Sequence, residues 1–219
     1  MKIPDSLADI GKKRIEPYPV EGFVFGGGPE KPKLMLVGEA PGETEINNGI
    51  PFSGRAGEQL MGFLDRIGLS REEVYITSAV RSRPYKWGEK KERSGEIIKR
   101  KYNRTPNQRE ILAHAPILDY EIEHVKAPII VTLGNIGLKR LAGREKKITD
   151  VRGTVLHQPV QRLKSLEDST FSWTEKSYYL FPTYHPASIF YNRSLLEHIH
   201  NDLDKLNMYL NELKQGKEH

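Results

Sequence analysis

Four short apolar runs constrain the fold of this chain more than any other feature: Leu34–Val37, Val74–Val80, Pro128–Leu133 and Tyr178–Pro182. None contains a charged residue. The first and third also lack polar alternation, the pattern of strands buried on both faces. Between the runs lie stretches with apolar residues at helical spacing. They cover Ala56–Ile67 (Leu60, Phe63, Leu64, Ile67), Thr105 to about Lys126, and Ile136–Leu141, with Gly68 and Gly143 as stops. Thr105-Pro106 is read as the cap and first position of the long middle helix. A last helix starts at Ser194, whose pairing with Glu197 predicts a capping box. Strands alternating with helices predict a three-layer α/β/α fold around a central, mainly parallel four-stranded sheet. Residues 1–219 are read as one domain with a basic insertion at about 84–104. The minor elements are a short N-terminal helix, an extended stretch near Gly22–Phe25, a short strand at Val151–Leu156 and a surface loop over Gln158–Lys176.

In such sheets, ligands bind beyond the carboxyl ends of the strands. Four loops lie there: Gly38–Gly42 (GEAPG), the Ser78 region, Gly134-Asn135 and His185-Pro186. They carry the candidates for chemistry. Glu39 can hold a water or stabilise a developing cation, and His185 can donate to an anion. Phe52, between Pro51 and Ser53-Gly54, can stack on a flat ring. Taken singly, each has a bland reading: a cap or surface residue for Glu39, an exposed loop residue for Glu45, burial for Phe52, structural hydrogen bonding for His185. Their gathering on one rim carries more weight than any one of them.

The chain has no cysteine, which excludes disulfides, thiolate zinc sites and cysteine-ligated clusters. No histidine stands at zinc-ligand spacing to His185, so no metal and no cofactor is expected. No apolar run is long enough to cross a membrane, and Met1–Ile15 lacks the apolar core of a signal peptide. The expectation is a cytoplasmic protein. Pro84–Arg104 holds eight Lys/Arg against three Glu, which accounts for the whole formal net charge of +5. With Tyr85, Trp87 and Tyr102 interleaved, it reads either as a nucleic-acid contact or as a solvated loop.

The ordered motifs GEAPGETE (38–45), GIPFSGRAG (49–57), VYITSAVRSRP (74–84), NRTP (103–106), PIIVTLG (128–134), ITDVRG (148–153) and PTYHPAS (182–188) resemble the uracil-DNA glycosylase superfamily, and within it family 4. The resemblance implies a monomer that hydrolyses the N-glycosidic bond of uracil in DNA, after the base has left the stack. By position it implies that Glu39 and His185 are catalytic. Gly38, Ala40, Glu45, Phe52 and Ser78 would form the base pocket, with Phe52 as platform. Gly54, Arg55, Gly134 and Asn135 would meet phosphates at helix starts. Pro186, Ala187, Ser188 and Ile189 would form a minor-groove loop, with Ile189 or Phe190 filling the vacated space. Lys99, Arg100 and Lys101 are the DNA contacts expected of the basic segment.

Three departures stand out. The family's four cluster-ligating cysteines fall near Gly11 and Arg14, at Ser82 and at His114, which implies that no cluster binds and that packing or the basic segment takes over its task. Ser78 replaces an asparagine that reads the base edge, implying weaker uracil discrimination and acceptance of another deaminated base. Ile46 replaces an aspartate, with no consequence assigned. The alternative readings are a DNA-binding homologue weak or inactive in catalysis, and a nucleotide-binding α/β protein.

Overall fold

Leu34 and Leu36 pack on one side of the central sheet and Met35 and Val37 on the other, which is why their run shows no polar alternation. The computed structural model describes residues 2–216. In chain order the elements are α1 (Asp5–Ile15), β1 (Val20–Glu21), β2 (Leu34–Gly38), α2 (Glu43–Asn48), α3 (Arg55–Arg66), β3 (Val74–Ser78), β4 (Arg83–Lys91), β5 (Ile97–Asn103), α4 (Gln108–His124), β6 (Ile130–Leu133), α5 (Gly134–Ala142), α6 (Ile148–Val151), β7 (Leu156–Leu163), β8 (Phe171–Thr183) and α7 (Leu195–Gln215).

The central sheet runs β3-β2-β6-β8-β7, parallel except for β7. Leu60, Phe63 and Leu64 of α3 and Ile199, Leu203 and Leu206 of α7 cover the Leu34/Leu36 face. Leu118 and Ile122 of α4 and Leu138 and Leu141 of α5 cover the other. The predicted three-layer, mainly parallel architecture is therefore present, with five strands rather than four.

The extra strand is β7. Residues 158–176, read as a surface loop, instead form most of the β7–β8 hairpin. As an edge strand with one outer face half exposed, β7 carries polar residues that hide it from an apolar search. Its register shifts between Pro159 and Gln161. Residues 148–151 form a helical turn, so the strand expected at Val151–Leu156 begins only where that prediction ended.

Two helix starts differ from expectation. Asn107, not Thr105, caps α4: its side chain accepts from Glu110 N at 3.0 Å, while Glu110 Oε2 accepts from Asn107 N at 2.8 Å. Ser194 forms no side-chain cap, and its hydroxyl donates to Asn192 Oδ1 instead. Inside α4, Pro116 has no N–H for the Leu112 carbonyl one turn earlier. Arg14 of α1 fills the gap, donating to Leu112 O and Ala113 O, each at 3.1 Å.

The basic segment is an antiparallel ribbon. β4 and β5 pair from Tyr85↔Asn103 to Lys91↔Ile97, and β1 extends the sheet on the β4 side.

Candidate active site

The parallel register aligns the ends of β3, β2, β6 and β8, so Ser78, Gly38, Leu133 and Thr183 share one rim. Beyond it opens a cleft of about 630 Å³ lined by Glu39, Ala40, Glu45, Phe52, Ser78 and His185, among others. The sequence-predicted pocket residues are thus brought together.

The turn that carries Glu39 and the turn that carries Phe52 are tied by Glu45. This buried carboxylate accepts Gly42 N–H on one oxygen and Gly54 N–H on the other, each at 3.0 Å. With both oxygens engaged, Glu45 is a clasp between loops. Phe52 has φ = 52°, and it is the only non-glycine in the left-handed region among the described residues. Its ring lies so close on Gly38 that a Cβ there would come within 2.7 Å of it. Its carbonyl occupies the place a Cβ on Gly57 would take, 1.9 Å away. Arg71 completes the arrangement by donating to Pro51 O and, at 3.3 Å, to Phe52 O. The result is a rigid aromatic shelf whose centroid stands 5.6 Å from that of His185.

Glu39, the first residue past β2, is partly buried, and burial raises its carboxyl above the ordinary range. A hydrogen bond with the Thr105 side chain opposes that shift. Thr105 is free for this contact because Asn107 caps the helix. His185 accepts Ala187 N–H on Nδ1 at 3.2 Å. Burial holds its imidazole down at about 4, against the opposing field of the Glu45 carboxylate. At neutral pH the ring is therefore uncharged. With Nδ1 serving as acceptor, the proton belongs on Nε2, which becomes a donor.

Ser78 is buried, and its hydroxyl donates to Val80 O at 2.7 Å. Toward the cleft it therefore offers an acceptor lone pair. A flat heterocycle on Phe52, a carboxylate of raised proton affinity, and a neutral imidazole donor together suit cleavage of a bond to a ring that leaves as an anion.

The outer residues divide. Pro186 is buried and Ala187, Ser188 and Ile189 half-buried, with Ile189 packed against the core. Phe190 is exposed beneath the Arg55 guanidinium, which lies 4.6 Å from its ring centroid, and Tyr191 is 91% exposed at the cleft. Gly54 N–H is taken by Glu45, and Asn135 Oδ1 accepts from Ile148 N at 3.2 Å. Gly134, at φ = 80°, packs against His185 Cβ. On the ribbon, Arg100 pairs with Glu43 at 3.0 Å and Lys101 with Glu21, whereas Lys99 makes no ion pair among the described residues. Tyr191, Thr105 and Arg71 escaped the sequence reading. An N-x-x-E pattern at Asn107–Glu110 could have released Thr105 from its capping role.

The cluster positions do not fit a cluster. His114 is fully buried, its Nδ1–H donating to Glu110 O at 2.7 Å and its Nε2 accepting from Ser82 Oγ at 3.2 Å. Arg14 is committed to the α4 carbonyls, and a Cβ on Gly11 would meet Ile117 at 3.0 Å. Direct packing and hydrogen bonds join these four positions to their neighbours, and no thiolate is present to ligate iron.

The uracil DNA glycosylase superfamily model matches residues 25–214. A type-4 uracil-DNA glycosylase of Sulfurisphaera tokodaii is 35% identical over 84% of this chain and 72% of its own length. One from Pyrobaculum aerophilum is 32% identical over 92% of this chain and 90% of its own length. Another from Thermotoga maritima is 32% identical over 85% and 82% respectively. No described helix is long and apolar enough to cross a membrane. By these matches, which span the strands that build the rim and the loops that line the cleft, the chain belongs to the uracil DNA glycosylase superfamily.

Proposed function

We propose that the protein is a monofunctional uracil-DNA glycosylase that hydrolyses the N-glycosidic bond of a flipped-out uracil, the first step of base excision repair. The observation that carries this reading is the convergence of Phe52, Glu39 and a neutral His185 on one cleft. Phe52 is the shelf on which uracil lies. As the bond from N1 to the sugar lengthens, electron density moves onto the base and His185 Nε2–H donates to the O2 oxygen. A neutral donor fits this task because it gains a strong charge-assisted bond only as the anion forms. The sugar becomes cationic at the anomeric carbon. Ionised Glu39 stabilises that cation and orients the water that adds to it, leaving an abasic site and free uracil. Ser78 accepts from uracil N3–H through its free lone pair.

The same reading assigns DNA backbone contacts to Arg55 and to amides at the start of α3, where Gly54 shapes the turn. It extends those contacts to the Gly134-Asn135 turn and the Pro186–Ile189 loop. The exposed Phe190 and Tyr191 are better placed than Ile189 to fill the gap left by the base, since Ile189 is packed inward. Lys99 meets phosphate directly, while Arg100 and Lys101 must exchange Glu43 and Glu21 for it. We infer one domain over residues 1–219, acting as a cytoplasmic monomer on uracil-containing DNA, with no metal or cofactor.

The test is incubation with a single-stranded uracil oligonucleotide followed by alkali. The parent protein gives strand breaks at the uracil position, and His185→Ala lowers the rate about 100- to 1000-fold, as for loss of an anion-stabilising donor. Absence of breaks at high enzyme concentration would overturn the reading.

A further inference from the structure

The two faces of the β4–β5 ribbon differ. By register and alternation, Tyr85, Trp87, Glu89, Lys91, Lys99, Lys101 and Asn103 share one face, with Glu89 directly across from Lys99. Trp87 is 61% exposed, and the Lys101 ammonium lies 4.3 Å from the Tyr85 ring centroid and 5.4 Å from that of Trp87. Glu21 anchors Lys101 from β1, so the aromatic pair is held by a fixed cation. On the opposite face, Tyr102 lies across Gly88, where a Cβ would meet its ring at 2.9 Å. On the aromatic face, Lys91 and Lys99 make no ion pair among the described residues. The aromatic face is continuous with the cleft, because Asn103 at the base of the ribbon lines it. Seven residue pairs carry this face outward for about 20 Å.

We propose that this face binds single-stranded DNA flanking the base in the cleft, with an unpaired base stacked on Trp87 and phosphates on Lys99 and Lys91; this choice of partner rests on the glycosylase reading above. A duplex offers phosphates to the lysines, but its bases are stacked inside and cannot meet the indole. An unpaired strand offers both. The exposed ring is the feature that separates the two, since the cations alone serve either.

Fluorescence anisotropy with a uracil-free oligonucleotide, single-stranded and as a duplex of the same sequence, tests this without depending on excision. Trp87→Ala is expected to weaken single-strand binding about tenfold, as for loss of one stacked base, and duplex binding less than twofold. Trp87→Phe retains a π face and recovers most of the loss. Replacing Lys91 and Lys99 with Gln lowers the salt slope on the single strand by about 1.4. Equal losses on both DNAs, or no loss with Trp87→Ala, would overturn the proposal. Trp87 lies outside the core, so the variant folds. Excision is scored separately, and its absence in the parent would sink the glycosylase reading while the binding comparison stands by itself.

Discussion

Arg71→Met tests whether the Phe52 shelf is held in place or merely happens to lie flat. Arg71 is half-buried beside Met61, and its guanidinium donates to the two successive carbonyls of Pro51 and Phe52. Burial lowers its pKa, which still leaves the group cationic at neutral pH. Methionine keeps an apolar stem of similar reach and removes both donors. A residue other than glycine in the left-handed region costs about 1–3 kcal/mol. A hydrogen bond from a charged donor contributes about 1.5–3 kcal/mol net. Because water replaces part of what is lost at a half-exposed site, we assign about 2 kcal/mol to the pair. That is comparable with the strain it opposes, so the turn is free to relax once the donors are gone. At 1.36 kcal/mol per tenfold, kcat/KM for a single-stranded uracil substrate falls about 30-fold.

A general loss of fold could produce the same number, so the measurement is a double-mutant cycle with Phe52→Ala. If Arg71 acts through Phe52, the double variant is no slower than Phe52→Ala alone. Additive losses would refute the clamp, as would Arg71→Met within threefold of the parent. Arg71→Lys keeps the charge but not the paired donors, and should recover only part of the activity.

Three further outcomes follow from the site. Glu39 must be ionised to stabilise the sugar cation, and its raised pKa puts the acid limb of the pH–rate profile above the usual carboxylate range; Thr105→Val removes the opposing hydrogen bond and should move that limb higher, and an unmoved limb would show the contact to be irrelevant. His114 has a folded pKa of about 4 against an ordinary 6.5, so the unfolded chain binds more protons between these values and stability falls as pH drops through that window, by up to about 3 kcal/mol. Denaturant titrations at pH 7 and pH 5 should show a smaller loss for His114→Asn than for the parent, and equal losses would contradict the assignment. Ser78→Asn supplies both a donor and an acceptor to the base edge and should raise uracil excision relative to hypoxanthine by about tenfold; unchanged preference would remove Ser78 from base reading.

What could be read in the sequence was whatever burial writes into a local pattern. The parallel strands show as apolar runs because both faces are covered, and the rim follows from their direction. β7 stayed hidden because an edge strand with a half-exposed face needs no apolar alternation. Thr105 followed by proline looked like a cap, yet the Asn107–Glu110 pair satisfies more backbone groups and prevails. Arg71 left no local signal at all. It lies 19 residues from Phe52, and only the turn between α3 and β3 brings it back to the shelf. The ribbon's charge was visible, but not which cations are already paired.

Glu39 and Glu45 stand six positions apart in the sequence, the first read as catalytic and the second as a supporting pocket residue. Their surroundings divide them. Glu45 meets two backbone N–H donors and is spent on holding the loops, whereas Glu39 meets one hydroxyl and stays available. The Glu45 charge also acts on His185. A carboxylate beside an imidazole favours the protonated ring, and Glu45 does act in that direction. Burial outweighs it, with the Phe52 ring centroid 5.6 Å from that of the imidazole and Gly134 packed against the His185 Cβ. Glu45 therefore pulls His185 toward the cation through its charge, and burial of the ring pulls it toward the neutral form. Packing prevails, and the cleft keeps a neutral N–H donor at Nε2 for the moment when negative charge appears on a leaving base.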